Sequence, residues 1–259
     1  MKLSRRSLLQ SSAAVAATSA LGLTGCADSA PPLKNAPVGA DVSRLMEQAV
    51  DVILTSYPES ASSAGLDTGK YAGLKSKLTD RSPDGQAAIA NDVKAMLGKL
   101  EAVDASALSA EEALNIEVIT SVFDMAAQGF DIPHGDMALL NYNWSYRPSP
   151  YTVAQNTGAF VEIPSFLDSS HSVENAEDAE GYLARLEAYA GQLDGETERV
   201  RLDGERGVIL PDFLMEKTIG QLRGARQRDP ATWGLVTALA AKTADMNDVF
   251  GDRAKAVAV

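Results

Sequence analysis

Two histidines, His134 and His171, and one cysteine, Cys26, bound the chemistry open to this 259-residue chain. A catalytic zinc needs three or four preorganised ligands, and helical spacings such as H-E-x-x-H bring two histidines to one face. The two histidines here are far apart and outside any such motif, so they read as surface or loop residues. No G-x-S-x-G elbow and no P-loop lysine motif occurs. The acids Glu177, Glu180, Glu187, Glu196 and Glu198 read as the solvated side of a helix rather than as paired catalytic carboxylates. The best candidate for ligand contact is the run N-Y-N-W-S-Y-R at 141–147. Its Asn143 amide, the ring faces of Trp144 and Tyr146, and the Arg147 guanidinium could together hold a peptide or a small polar ligand. The competing reading is an aromatic loop plugging a gap between helices. No catalytic residue and no metal ligand is assigned.

These residues need a scaffold, and the hydrophobic spacing supplies helices. Ala-rich composition, few aromatics and short β-branched runs point to an all-α fold, an irregular multi-helix array. Val42, Leu45, Met46, Ala49, Ile53 and Tyr57 form a first stripe that ends at Pro58. Ser60 to Thr79 has no period and reads as loop. Pro83 opens a second helix with Ile89, Val93, Met96 and Leu100 inward. Ser109 and Glu112 make a capping box for a third, with Leu114, Val118, Ile119 and Phe123 inward and Gly129 as its end. Phe130 to Pro164 is irregular and Pro-rich, with a short helix expected near Pro150 and another turn after Pro164; long irregular segments in compact domains are often functional.

Asn175 to Leu222 is the most regular stretch. Asn175 caps a long central helix whose Tyr182, Leu183, Leu186, Tyr189, Leu193, Thr197 and Val200 recur at helical spacing. Its inner face is expected to pack on the first three helices. Gly207 stops it, and Pro211 opens a shorter helix with Phe213, Leu214, Thr218, Ile219 and Leu222 inward. Asp229-Pro230 caps a last helix, and the tail from Ala254 runs out without a stop signal.

The charge balance is 23 basic against 35 acidic residues, a formal net charge of -12. Such a surface repels phosphate backbones, which argues against nucleic acid as a partner. The N-terminus carries Lys2, Arg5 and Arg6 and no acid through residue 25, followed by a weakly apolar Ala/Ser/Thr segment too short and too polar to span a bilayer. Ser4 to Leu9, with Arg5 and Arg6, resembles a twin-arginine export signal. Leu23-Thr24-Gly25-Cys26 resembles a lipobox, whose cysteine thiol takes the diacylglycerol. The expected organisation is a signal at 1–26, a flexible Pro-containing tether at 27–40, and a helical portion at 41–259. The protein is then exported to the cell envelope or periplasm and held at the membrane through lipid on Cys26.

One ordered set of motifs resembles a known family. It comprises Y-L-x-R-L at Tyr182 to Leu186, Gln192-Leu193-Asp194, Gly207, Pro211 and E-x-x-I-x-Q-L at Glu216 to Leu222. Upstream are a first helix ending in Tyr-Pro and S-x-E-E-A-L-N at Ser109 to Asn115. Together they resemble the bacterial domain of unknown function 885 family over roughly Val42 to Leu222. The resemblance implies a mainly helical fold, peptide as substrate, and a zinc-metallopeptidase-like activity. The family's metal site is an H-E-x-x-x-G-H-type motif in a C-terminal half that has no match here, so no ligand or catalytic glutamate carries over. Zinc is expected only in a full-length relative, and no cofactor in this chain. The resulting expectation is the N-terminal, non-catalytic part of an exported peptidase-like lipoprotein. The alternative is a complete helical envelope lipoprotein that binds a ligand or protein partner without catalysis.

Overall fold

The computed structural model describes residues 38–138, 140, 148–246 and 249–258. Among these, nine α-helices follow in order: α1 (Val38–Ser56), α2 (Pro58–Ser63), α3 (Pro83–Glu101), α4 (Ala110–Phe130), α5 (Ala159–Ser169), α6 (Ala176–Glu205), α7 (Asp212–Arg226), α8 (Gly234–Lys242) and α9 (Phe250–Val257). Short 3-10 turns cover Gly69–Ser76, Ala105–Ala107 and Pro230–Thr232. No strand occurs among the described residues, only the isolated bridges Asp136 to Ser149 and Ala154 to Thr157. The fold is all-α.

Three long helices start where the sequence supplies a cap. Ser82 Oγ accepts from Gly85 N at 3.0 Å before Pro83 opens α3. In the capping box of α4, Glu112 N donates to Ser109 Oγ at 3.3 Å and Ser109 N donates to Glu112 Oε2 at 2.9 Å. Asn175 Oδ1 accepts from Asp178 N at 3.0 Å at the head of α6. Gly207, at φ +80°, takes the left-handed position that ends that helix.

The apolar residues gather into two main clusters. Val42, Ala49, Val93, Met96, Phe123 and Ala126 join α1, α3 and α4. Ile163, Phe166, Leu167, Tyr182, Leu183 and Leu239 join α5, the first half of α6, α8 and α9. Each large apolar side chain fully removed from water contributes about 1.5–3 kcal/mol. Tyr182 stays dry by donating its hydroxyl to Leu235 O at 2.6 Å. The apolar face of α6 therefore packs mainly on the helices around it in the C-terminal half, not on the first three. Its sequence period identifies an apolar face but not the partner.

Several elements differ from the sequence expectation. α1 begins at Val38, inside the expected tether, and ends at Ser56, while Pro58 opens α2 instead of closing α1. The stretch expected as loop holds α2 and the Gly69–Ser76 turn. α5 runs through Pro164, and the bends around Pro150 form no helix. On α4, Ile116 and Phe123 are buried while Leu114 and Val118 are exposed. That helix carries apolar residues on two faces, and only packing chooses between them. Gly129 lies inside α4, where a Cβ would sit 2.6 Å from the backbone of Met137 and Ala138, so it serves close approach and not termination. The tail continues as α9, anchored by Ala254 at 0% exposure.

At Gly195 the backbone of α6 comes close to the start of α3. A Cβ there would lie 2.6 Å from Ser82 N and 2.8 Å from Ser82 Cα. Gly195→Ala is expected to destabilise the chain by about 2 kcal/mol, the usual cost of overpacking. Urea denaturation of the variant checks this; an alanine that stabilises, as at a free helix position, would show that α6 and α3 are not in contact.

Candidate functional site

The chemistry-bearing residues lie along α6. Asp178, Arg185 and Gln192 recur at seven-residue spacing, which places them on one stripe of the helix, and Glu196 and Asp203 continue it. All five are buried. Glu196 is 2% exposed, which corrects its assignment to the solvated face; Glu177, Glu180, Glu187 and Glu198 are exposed as expected. Its charge is matched inside the protein, so its periodicity with the outer acids misleads.

Arg185, at 0% exposure, is the hub of the upper layer. Its guanidinium donates to Lys77 O at 2.8 Å, Leu74 O at 3.0 Å, Ser62 Oγ at 2.9 Å and His171 Nδ1 at 2.8 Å. It also lies over the Phe166 ring, 4.8 Å from the centroid. Burial lowers its pKa to about 10, with Glu59 and Asp67 opposing, so it remains a cation at neutral pH. Because the guanidinium can only donate, His171 Nδ1 must accept. His171 Nε2 then carries the proton and donates to Asp178 O at 3.1 Å.

In the middle layer, Glu59 accepts from Thr79 N at 3.1 Å, Thr79 Oγ1 at 2.6 Å and Gln192 Nε2 at 3.1 Å. One layer down, Arg81 donates to Glu162 Oε2 at 2.6 Å and to Glu196 Oε1 at 2.7 Å. Ala159 N, at the start of α5, donates one bifurcated bond to both Glu196 carboxylate oxygens at 2.9 Å. Burial pushes the Glu196 carboxyl above its ordinary value, with Arg81 pulling against it. At the foot, Asp203 Oδ2 accepts from Gly135 N at 3.1 Å and Thr152 Oγ1 at 2.9 Å, and Arg199 pairs with Asp136 and donates to Gly135 O at 2.8 Å. The spine thus ties α2, the segment leading into α3, α5 and the irregular segment to one helix.

Beside the lower spine, α6 and α7 enclose an apolar groove of about 530 Å³. Val200, Ile209, Met215, Ile219 and Leu222 line it, and Glu196 and Asp203 reach its floor. The apolar stripe expected to be inward on α6 divides here: Tyr182, Leu183 and Leu186 are buried, but Val200 is 44% exposed to the groove. On α7 only Thr218 is buried, whereas Phe213, Ile219 and Leu222 are exposed, contrary to the inward placement their spacing suggests.

The sequence candidates fare unevenly. Asn143, Trp144, Tyr146 and Arg147 lie outside the described residues, as do Arg5, Arg6 and Cys26. His171 is not a surface residue but is 0% exposed. His134 is half-buried in the irregular segment, with Nδ1 3.2 Å from Pro150 O. The described residues do not fit a zinc site. Both ring nitrogens of His171 are committed to Arg185 and Asp178, and among the described residues no three His, Cys, Asp or Glu side chains converge as ligands.

A family profile described as a bacterial protein of unknown function (DUF885) matches residues 58–258. No curated protein matches the chain. Among solved structures, the crystal structure of a candidate lipoprotein from Colwellia psychrerythraea shares the fold at 15% identity, with a TM-score of 0.74 over 85% of this chain. The match takes up 38% of that protein's chain, so the present chain spans well under half of its length.

Proposed function

The chain belongs to the bacterial DUF885 family of unknown function, and from that premise we propose that it is the scaffolding, non-catalytic part of an exported, lipid-anchored protein resembling a zinc-dependent peptidase. In this reading α6 is the rigid member around which the wall of a channel that takes peptide is assembled. The likeness to a candidate lipoprotein supports the envelope location, together with the lipobox cysteine Cys26 and the Arg5-Arg6 signal. Zinc belongs to a full-length relative, where it would polarise a carbonyl and activate water. No step of that chemistry is assigned to this chain.

The observation that carries the reading is the internal matching of the buried ions along α6. Arg81 is held between Glu162 and Glu196, and Asp178 is paired with Lys75 at 2.6 Å. Glu59 is filled by Thr79 and Gln192. A catalytic acid or base needs to reach substrate with free proton capacity. These groups instead spend their hydrogen bonds on fixing chain segments relative to one another.

The purified 259-residue chain is therefore expected to bind less than stoichiometric zinc by elemental analysis and to leave quenched fluorescent peptides uncut. Stoichiometric zinc together with peptide hydrolysis would overturn the scaffold reading. Saturable peptide binding without hydrolysis, in a chain that unfolds cooperatively by itself, would favour the self-sufficient binding lipoprotein.

A further inference from the structure

α7 presents a problem that its own chain does not solve. A surface helix of a globular protein covers an apolar stripe about 100° wide or more. An isolated helix of up to about 15 residues is marginal in water. α7 has 15 residues, and Thr218 is its one buried side chain. Phe213 is 62% exposed, Leu222 40% and Ile219 37%. Ile209, in the turn that leads into α7, is 60% exposed, and Val200 on the opposite wall is 44% exposed. Val200, Ile209, Ile219 and Leu222 line the groove together, and Phe213 is exposed outside it at the start of α7; exposed apolar surface of this kind in soluble proteins marks an interaction site.

The flanks of α7 are charged in a polar order. Asp212 and Glu216 stand in its N-terminal half with Lys217 beside Glu216, and Arg223 and Arg226 stand at its C-terminal end. Among the described residues none of these five forms a salt bridge. An amphipathic helix laid along the groove would satisfy this order with a base opposite Glu216 and an acid opposite Arg223. Well over half of the Colwellia psychrerythraea structure lies beyond its match to this chain, so the shared fold occurs there inside a larger protein.

We propose that the groove and exposed flank of α7 are the seat of an amphipathic helix from polypeptide corresponding to the remainder of that structure. The inference rests on the reading of this chain as one part of a larger peptidase-like protein. The seated helix carries large apolar side chains at three- and four-residue spacing, with the base and acid placed as above.

The test compares the 259-residue chain with the product of its genomic reading frame continued past Val259. In the 259-residue chain, wild type is expected to sediment as a monomer and to bind anilinonaphthalene sulfonate. Ile219→Glu with Leu222→Glu is expected to lower that dye fluorescence about five-fold and to move Tm by less than about 2 °C, because the face is open. Phe213→Ser is a milder second variant. In the continued chain, wild type binds little dye, and the same double substitution lowers Tm by about 10 °C, because the charges are now buried. A 259-residue dimer dissolved by the double variant makes a second copy the occupant and overturns the proposal. So does an unchanged Tm in the continued chain, or the absence of any further frame. If the Tm loss is found but the continued chain neither holds zinc nor cuts peptide, the seat stands and the peptidase reading fails.

Discussion

Replacing Arg81 with methionine is expected to destabilise the folded chain by about 3–5 kcal/mol, the usual result of removing one partner from a buried ion pair. Arg81 is 7% exposed, and Glu162 and Glu196 are 7% and 2% exposed. Burial works against the guanidinium charge, but Glu162 and Glu196 outweigh it and hold its pKa well above the ordinary value. Methionine fills most of the volume and leaves two carboxylates in a dry site. One would have to take up a proton, and Glu196, already pushed upward by burial, is the member that does so. Adding Glu162→Gln and Glu196→Gln to the methionine variant should recover about half of the loss, since neutral amides cost far less to bury than charges. Urea denaturation at pH 7 measures both steps. A methionine variant within about 1 kcal/mol of wild type would show that the triad is hydrated and does not organise the spine.

This triad also marks the limit of what the sequence reveals. The cap at Ser82, the capping box at Ser109, the Asn175 cap and the stop at Gly207 are local, and each is found where its residues announce it. The partners of α6's buried polar stripe are not local. Arg81 lies 115 positions from Glu196 and 81 from Glu162. A Glu with its partner so far away has the same local pattern as a Glu facing water. The available signal was glycine: Gly181 and Gly195 lie on the same side of α6, where a Cβ would come within 3.1 Å of Lys75 O and 2.6 Å of Ser82 N. α6 holds four glycines, and Gly191 and Gly204 meet nothing within 4 Å, so only the pair on the side of the buried polar stripe indicates close approach of other backbone. The converse holds on α7. Phe213, Ile219 and Leu222 have helical spacing, but periodicity reports a face suited to burial and not the presence of anything to bury it.

The second large effect is expected with pH, through His171. Its Nδ1 accepts from Arg185 Nη1 at 2.8 Å, and Lys75 from the Gly69–Ser76 turn and Lys242 from α8 also face it. Asp178 supplies its backbone carbonyl to Nε2, and its carboxylate is already taken by Lys75. Burial lowers the imidazole pKa to about 4, with the Arg185 charge as the next cause. The unfolded chain would titrate this histidine near 6.5. Between those values the unfolded state binds the extra proton, so stability is fully present above about pH 6.5 and declines as pH falls to about 4. The loss at the acid end is about 3 kcal/mol. In His171→Asn the amide oxygen can still accept from Arg185, but no proton can be taken up. Wild type should therefore lose about 3 kcal/mol more than the variant between pH 7 and pH 4 in urea titrations, a comparison in which the shared carboxylate contributions cancel. Protonation removes the acceptor that steadies Arg185, whose other bonds hold Leu74 O and Lys77 O. Amide exchange should thus accelerate first across the Gly69–Ser76 turn as pH falls, once intrinsic exchange rates are corrected for. Identical acid slopes in wild type and variant would mean that His171 is not neutral, and that the tautomer imposed by Arg185 is wrong.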